Sequence, residues 1–253
     1  MVRNADVDWD RFDPDSYLEV NYRTVRDDDR EIVQIIRDFF AGSGLAIPPV
    51  GGAKGGSGVE AVDVGSGTNL YPALAMLPFA DSIRLFERGK ANVAWLEGQL
   101  REGYDKAWEP FWAELAMNHL YGRVAGPREM FGQKVEIEQG DLFALPARRY
   151  HLGTMFFVAE SMSTEHKEFA SAVEAFVGSL LPGAPFAAAF MENSHGYEVD
   201  GVWFPAYAVK VDGVQDALSG VASGVSTSRV LYGASGALRG DHEAMIVATG
   251  RAK

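Results

Sequence analysis

The chain has 253 residues, 47% of them hydrophobic, enough for one α/β domain with a core of enzyme size. Its 23 basic and 35 acidic residues give a formal charge of −12, a field adverse to nucleic acid, and Asp27, Asp28, Asp29 and Glu31 offset the arginines around them, so no basic patch stands out. The absence of cysteine excludes disulfides, thiolate-held iron–sulfur clusters and cysteine zinc sites, and the five histidines show no HxxxH or HExxH spacing, so no metal site is expected.

The opening stretch, MVRNADVDWDRFD, is acidic and lacks an apolar targeting core, and no run of about 18 apolar residues occurs, which reads as a cytoplasmic protein without a membrane partner. Residues 1–46 form an N-terminal segment. Within it Ile32, Val33, Ile35, Ile36, Phe39 and Phe40 recur at helical spacing before Gly42 ends the run, predicting an amphipathic helix. PPVGGAKGGSG (residues 48–58) reads as a glycine-rich surface linker. It lacks the GK[ST] ending of a phosphate loop and precedes a strand where such a loop would follow one.

From residue 59 to the end, strands alternate with helices: a strand at 59–65, a helix from about 71, SIRLFE (82–87), a helix over 92–102, KVEIEQGD (134–141), YHLGTMFFVAE (150–160), a helix over 165–181 and PFAAAFME (185–192). SRVLYGAS (228–235), a turn at 236–241 and EAMIVATG (243–250) then read as two strands without a helix between them. The expected fold is a Rossmann-like, doubly wound, mostly parallel seven-stranded sheet in a single domain, with a C-terminal antiparallel hairpin. An aromatic insert at 102–132, with Tyr104, Trp108, Phe111, Trp112 and Tyr121, either packs over the sheet edge or shapes a pocket.

Ligands of open parallel sheets settle beyond the carboxyl ends of the strands, where a glycine turn lets backbone approach them. Gly65 and Gly67 stand there. A dinucleotide fingerprint wants Gly or Ala where this chain has Leu70, and a polyphosphate loop wants a lysine that GSGTNLYP lacks. S-adenosylmethionine (SAM) remains as the cofactor: Glu87, ending the second strand, can take both ribose hydroxyls, and Asp141, ending the third, can accept from the adenine amino group.

These residues resemble the class I methyltransferases that include nicotinamide, phenylethanolamine and thioether or indolethylamine methyltransferases, in a bacterial form. FDPDSYLEVNY (12–22) is similar to the family's opening signature, DVGSGTNLY (63–71) to its D-[IV]-G-S-G-x-x-x-Y loop, and ERGKAN (87–92) to its acid-x4-N pattern. KAWEPFW (106–112), FFVAESMS (156–163) and LLPGAPF (180–186) follow in the family's order. The resemblance implies that Tyr17 and Tyr22 belong to an N-terminal helical lid. It places Gly65, Ser66, Gly67, Thr68 and Tyr71 along the methionine half of SAM, Glu87 and Asn92 at ribose and adenine, and Asp141 and Leu142 beside the adenine. Asn21 departs from a second lid tyrosine of the amine-methylating relatives, and Glu87 from their usual aspartate.

Methyl transfer from a sulfonium needs alignment and exclusion of water more than acid–base help, although a phenol or carbon acceptor also needs a base. Glu160 and Glu192 are candidates for orienting the acceptor or taking its proton, with His195 and Tyr197 as further substrate contacts by chain position. The expected function is methylation of a small molecule, foremost at an amine or heteroaromatic nitrogen. O- or C-methylation of a bacterial secondary metabolite and a non-catalytic, partner-binding use of the fold are the alternatives.

Overall fold

The computed structural model describes residues 1–45, 58–233, 236 and 242–253. The glycine-rich stretch at 48–58, apart from Gly58, and the turn at 236–241, apart from Gly236, lie outside the described residues.

The N-terminal segment carries two helices. Helix α1 (Pro14–Asn21) starts with proline in its first turn, under an Asp13 cap whose carboxylate accepts from the Ser16 N–H at 2.7 Å. Helix α2 (Asp27–Ala41) opens on three aspartates, favourable at the positive end of its dipole, and buries Ile32, Val33, Ile36 and Phe40 along one stripe. Then come β1 (Glu60–Val64), α3 (Tyr71–Met76), β2 (Ser82–Glu87) and α4 (Lys90–Glu102). The aromatic insert folds as α5 (Glu109–Ala116), α6 (His119–Gly122) and α7 (Pro127–Lys134). After it run β3 (Val135–Gln139), β4 (Leu152–Phe156), α8 (His166–Gly178) and β5 (Pro185–Glu192), and then β6 (Gly196–Val199), β7 (Val202–Pro205), α9 (Val211–Ser219), β8 (Ala222–Val230) and β9 (Ala244–Ala252).

Seven strands form one sheet in the order β3-β2-β1-β4-β5-β9-β8, the first five parallel and β9 antiparallel to both its neighbours. The chain therefore winds outward from β1 in one direction and from β4 in the other, and the switch between these two strands leaves a crevice at their carboxyl ends. β5 is buried throughout. Its alternation puts Ala187 and Ala189 into a core with α2, α3 and α5, and Ala188 into a second core with α8 and α9.

Three features differ from the sequence expectation. β4 stops at Phe156, because Phe157 turns into left-handed backbone at φ 61°. β8 begins at Ala222, where an edge strand of small polar residues with a bulge between Ser223 and Ser226 hides its pattern. The β6–β7 hairpin and α9 are additional elements. A type I′ turn at Asp200 (φ 48°) and Gly201 (φ 72°) closes the hairpin, and the Asp-Gly pair between YEV and VWF is its sequence signal. The insert resolves in favour of packing: Tyr104, Trp108, Phe111 and Tyr121 are fully buried in the core, with Phe111 stacked on Tyr71 at 5.3 Å.

Candidate functional site

The crevice beyond β1 and β4 opens into a cavity of about 840 Å³, counting the open solvent at its mouth. Its floor is the loop after β1. Gly65 and Gly67 take φ of 66° and 50°, which side chains resist, and a Cβ on Gly65 would lie 2.5 Å from Val158 in the loop after β4. Over Gly67, by contrast, a Cβ would meet nothing nearer than 3.9 Å, so the backbone there faces open cavity.

Glu87 fixes this loop. One carboxylate oxygen accepts from the Gly67 N–H at 2.8 Å, and the other accepts from the N–H groups of Arg88 and Gly89, both at 2.8 Å. A carboxylate has about four lone-pair positions, so one is left. The sequence expectation that Glu87 takes both ribose hydroxyls at once is corrected accordingly: in this arrangement it can take one, and it also staples β1 to β2. Below the loop, Asp63 is buried and accepts from the Thr154 hydroxyl at 2.6 Å, while the Ser66 hydroxyl donates to the Asp63 carbonyl at 3.1 Å. Burial pushes the Asp63 carboxyl up to about 7, against those hydroxyl hydrogen bonds and with a smaller push from Glu87.

The roof comes from the N-terminal segment and the β6–β7 hairpin. Trp9 stacks on Phe204 at 5.5 Å, Phe12 tilts against Phe204 at 5.4 Å, and Tyr197 also stacks on it at 5.4 Å. Asn4 accepts from the Trp9 indole N–H at 2.9 Å, and Asp15 and Asp10 tie the segment to Trp95 and Lys90 of α4. Phe86, Gly140, Leu142, Phe156, Phe157 and Met162 also line the cavity.

Of the residues singled out in the sequence, Tyr17, Tyr22, Gly65, Ser66, Gly67, Thr68, Glu87, Asn92, Leu142 and Tyr197 line this cavity together. Five others stand outside its lining. Tyr71 is wholly buried beneath it against Phe111. Asp141 caps the turn Leu142–Ala144 through the Phe143 N–H and pairs with Arg88 at 3.2 Å beside the lining residue Leu142. Glu160 is buried behind the site and accepts from the Met191 N–H at 2.9 Å. Glu192 is paired with Arg229, and His195 is exposed on the loop between β5 and β6. The sequence reading passed over Asn4, Trp9, Phe12 and Arg88. The aromatic spacing of Trp9 and Phe12 ahead of α1 was a visible signal, but their partner Phe204 lies far along the chain.

The polar lining fits a ligand with an amino-acid end and a nucleoside end. Thr68 Oγ1 and Asn92 Oδ1 are buried beside the loop with no protein partner among the described residues, which is costly unless a ligand supplies one. Also among the described residues, no group of three or more His, Asp and Glu side chains is placed to hold a metal ion, and no helix is long and apolar enough to cross a membrane.

No protein-family model matches the chain, and no curated protein matches it by sequence. Solved structures do match it by shape. An S-adenosylmethionine-dependent methyltransferase from Clostridium acetobutylicum ATCC 824 superposes with a TM-score of 0.55 at 12% identity, over 93% of this chain and 95% of that one. The chain has the class I methyltransferase fold. The N-methyltransferase NodS from Bradyrhizobium japonicum WM9, in complex with S-adenosyl-L-homocysteine, matches with a TM-score of 0.51 at 10% identity, over 94% of this chain and 98% of that one. The 1,6-didemethyltoxoflavin-N1-methyltransferase of Burkholderia thailandensis, with its substrate and S-adenosylhomocysteine bound, matches with a TM-score of 0.51 at 12% identity, over 89% and 80% of the two chains.

Proposed function

We propose that the chain is an enzyme that uses SAM to methylate a nitrogen of a small molecule, an amine or an N-heteroaromatic ring. One observation carries this reading: a glycine loop held open by Glu87, with the unpartnered polar atoms of Thr68 and Asn92 beside it, under an aromatic roof. Bound SAM supplies an activated methyl group on a sulfonium. In this reading Gly65, Ser66, Gly67 and Thr68 hold the methionine half through backbone N–H and hydroxyl groups. Glu87 and Asn92 hold the ribose, and Phe86, Gly140 and Leu142 enclose the adenine. Tyr17 and Tyr22 form the lid, their rings suited to a cation and their closure to excluding water. The finer kinship with the nicotinamide and phenylethanolamine N-methyltransferases rests on the sequence motifs. The choice of nitrogen is supported by two of the structural neighbours, which are N-methyltransferases.

The test is a calorimetric titration with S-adenosylhomocysteine (SAH) in the presence of a chelator, followed by transfer of labelled methyl to amine and phenol panels. One site of unchanged affinity with and without chelator is expected, with label on nitrogen. A folded protein that binds no SAH would overturn the reading and leave the non-catalytic use of the fold. Label on oxygen or carbon alone would overturn the nitrogen assignment.

A further inference from the structure

Asn69 stands at the end of the glycine loop and lines the cavity, yet only 7% of it is exposed. Its backbone N–H donates to the Ser66 carbonyl at 3.0 Å, and its side-chain oxygen accepts from the Tyr71 N–H at 3.3 Å. The second bond sets the orientation of the amide, because a flipped amide would put two N–H groups face to face. Nδ2 is turned away from that bond, and among the described residues it has no hydrogen-bond partner. An aspartate would serve the turn as well, since the turn uses only the oxygen. The amide nitrogen has no task within the fold.

Two neighbouring polar atoms share this condition. Thr68 Oγ1 is buried without a partner, and the Tyr71 hydroxyl stands near the Asn69 amide without forming a hydrogen bond to it or to any other described residue. All three groups can donate, and none is a cation. The basic side chain among the described lining residues is that of Arg88, which is paired with Asp141. Buried donors without acceptors are costly, so the complement of this turn is a group that only accepts. A carboxylate is such a group, and an ammonium is its reverse. We propose that Asn69 is a specificity-determining residue for the methyl donor: with the Thr68 hydroxyl, its amide N–H receives the carboxylate at the amino-acid end of the cofactor, and nucleosides without that carboxylate are bound less well. The proposal rests on the SAM reading above for the ligand, and on this turn for the selection. Neutral donors hold an anion here without a counter-charge, and burial strengthens each bond they make.

The experiment titrates the full chain with SAH, with S-adenosyl-3-thiopropylamine, which lacks only the carboxylate of SAH, and with 5′-methylthioadenosine, which lacks the whole amino-acid end. Wild type is expected to bind SAH about tenfold or more tightly than the thiopropylamine, the scale of a hydrogen bond to a charged group. Asn69→Asp keeps the oxygen that serves Tyr71 and replaces the donor by a negative charge. It should lower SAH affinity by about tenfold or more, hold or raise that of the thiopropylamine, and leave methylthioadenosine within about twofold. Asn69→Ser, with a shorter donor, should lie between the two and keeps the test open where the aspartate variant does not fold. A wild type that binds SAH and the thiopropylamine alike would overturn the proposal. So would a variant in which SAH and methylthioadenosine weaken by the same factor, which would mark Asn69 as a prop of the loop. In both cases the cofactor reading stands, because the nucleosides still bind. A folded wild type that binds none of the three sinks the cofactor reading itself, and the assignment of Asn69 falls with it.

Discussion

The floor and the roof of the cavity enclose the same space by different means. The floor is made of backbone hydrogen bonds: Gly67, Arg88 and Gly89 on the Glu87 carboxylate, Gly65 N–H on the Phe86 carbonyl at 2.7 Å, and Gly140 N–H on the Glu87 carbonyl at 2.9 Å. These bonds join the ends of β1, β2 and β3, and their directionality fixes the loop to within tenths of an ångström. The roof is made of rings on Phe204 and of polar ties at its rim, such as Lys90–Asp10 between two exposed side chains. Ring contacts tolerate sliding, and exposed ion pairs contribute little. A floor of directional bonds and a roof of less directional contacts thus bound one cavity.

Glu87→Ala is the sharpest way to break this contrast. It removes the acceptor of three N–H groups, and we expect a loss of about 3 kcal/mol or more in urea unfolding together with the loss of SAH binding. The sequence alone suggested a ligand contact, so an unfolding midpoint equal to wild type would return Glu87 to that lesser role. Phe204→Ala should come next, at about 3 kcal/mol or less because its cluster is small and at the surface. Its signature is local: hydrogen exchange over residues 1–22 should accelerate while the sheet stays protected, and SAH should slow it again. Uniform acceleration through the sheet would show that roof and floor unfold as one unit.

Asp63 sharpens the comparison through pH. Its folded pKa of about 7 lies above the usual carboxylate value of 3.8, so the folded state keeps a proton that the unfolded state loses between these values. Its contribution is fully present below about pH 4 and declines as pH rises to about 7, by up to roughly 1.4 kcal/mol per pH unit. The stability of Asp63→Asn relative to wild type should therefore rise across that window, and a flat difference would place the acid in a more polar setting. The smallest effect is expected at the rim, where Lys90→Ala should leave the melting temperature within error and raise exchange only near Asp10.

The floor was legible in the sequence because it needs particular residues at fixed spacing. Two glycines forced into positive φ and an acid 20 residues further on at a strand end leave a mark in the chain itself. The mostly parallel sheet and its antiparallel end followed from the alternation of elements, apart from the half-exposed β8, whose polar residues blur its period. The roof was half legible. Tyr17 and Tyr22 suggested an aromatic lid, but Trp9 and Phe12 were passed over, and Phe204, the ring that gathers them, sits in a hairpin whose Asp200-Gly201 turn was readable and whose docking place was not. Glu160 and Glu192 show the opposite case. Both stand near strand ends where an acid could serve a substrate, yet both are taken up by structural partners, a distinction that chain position does not encode.

Phe157 has a consequence for how the protein can change. Replacement by glycine would relax the left-handed backbone and, in the same step, remove a ring from the wall of the cavity. Stability and selectivity thus pull against each other at a single codon. A library screened only for heat resistance would drift toward a wider, permissive pocket, whereas a lineage kept on one ligand would have to retain a strained phenylalanine and draw its robustness from elsewhere in the sheet.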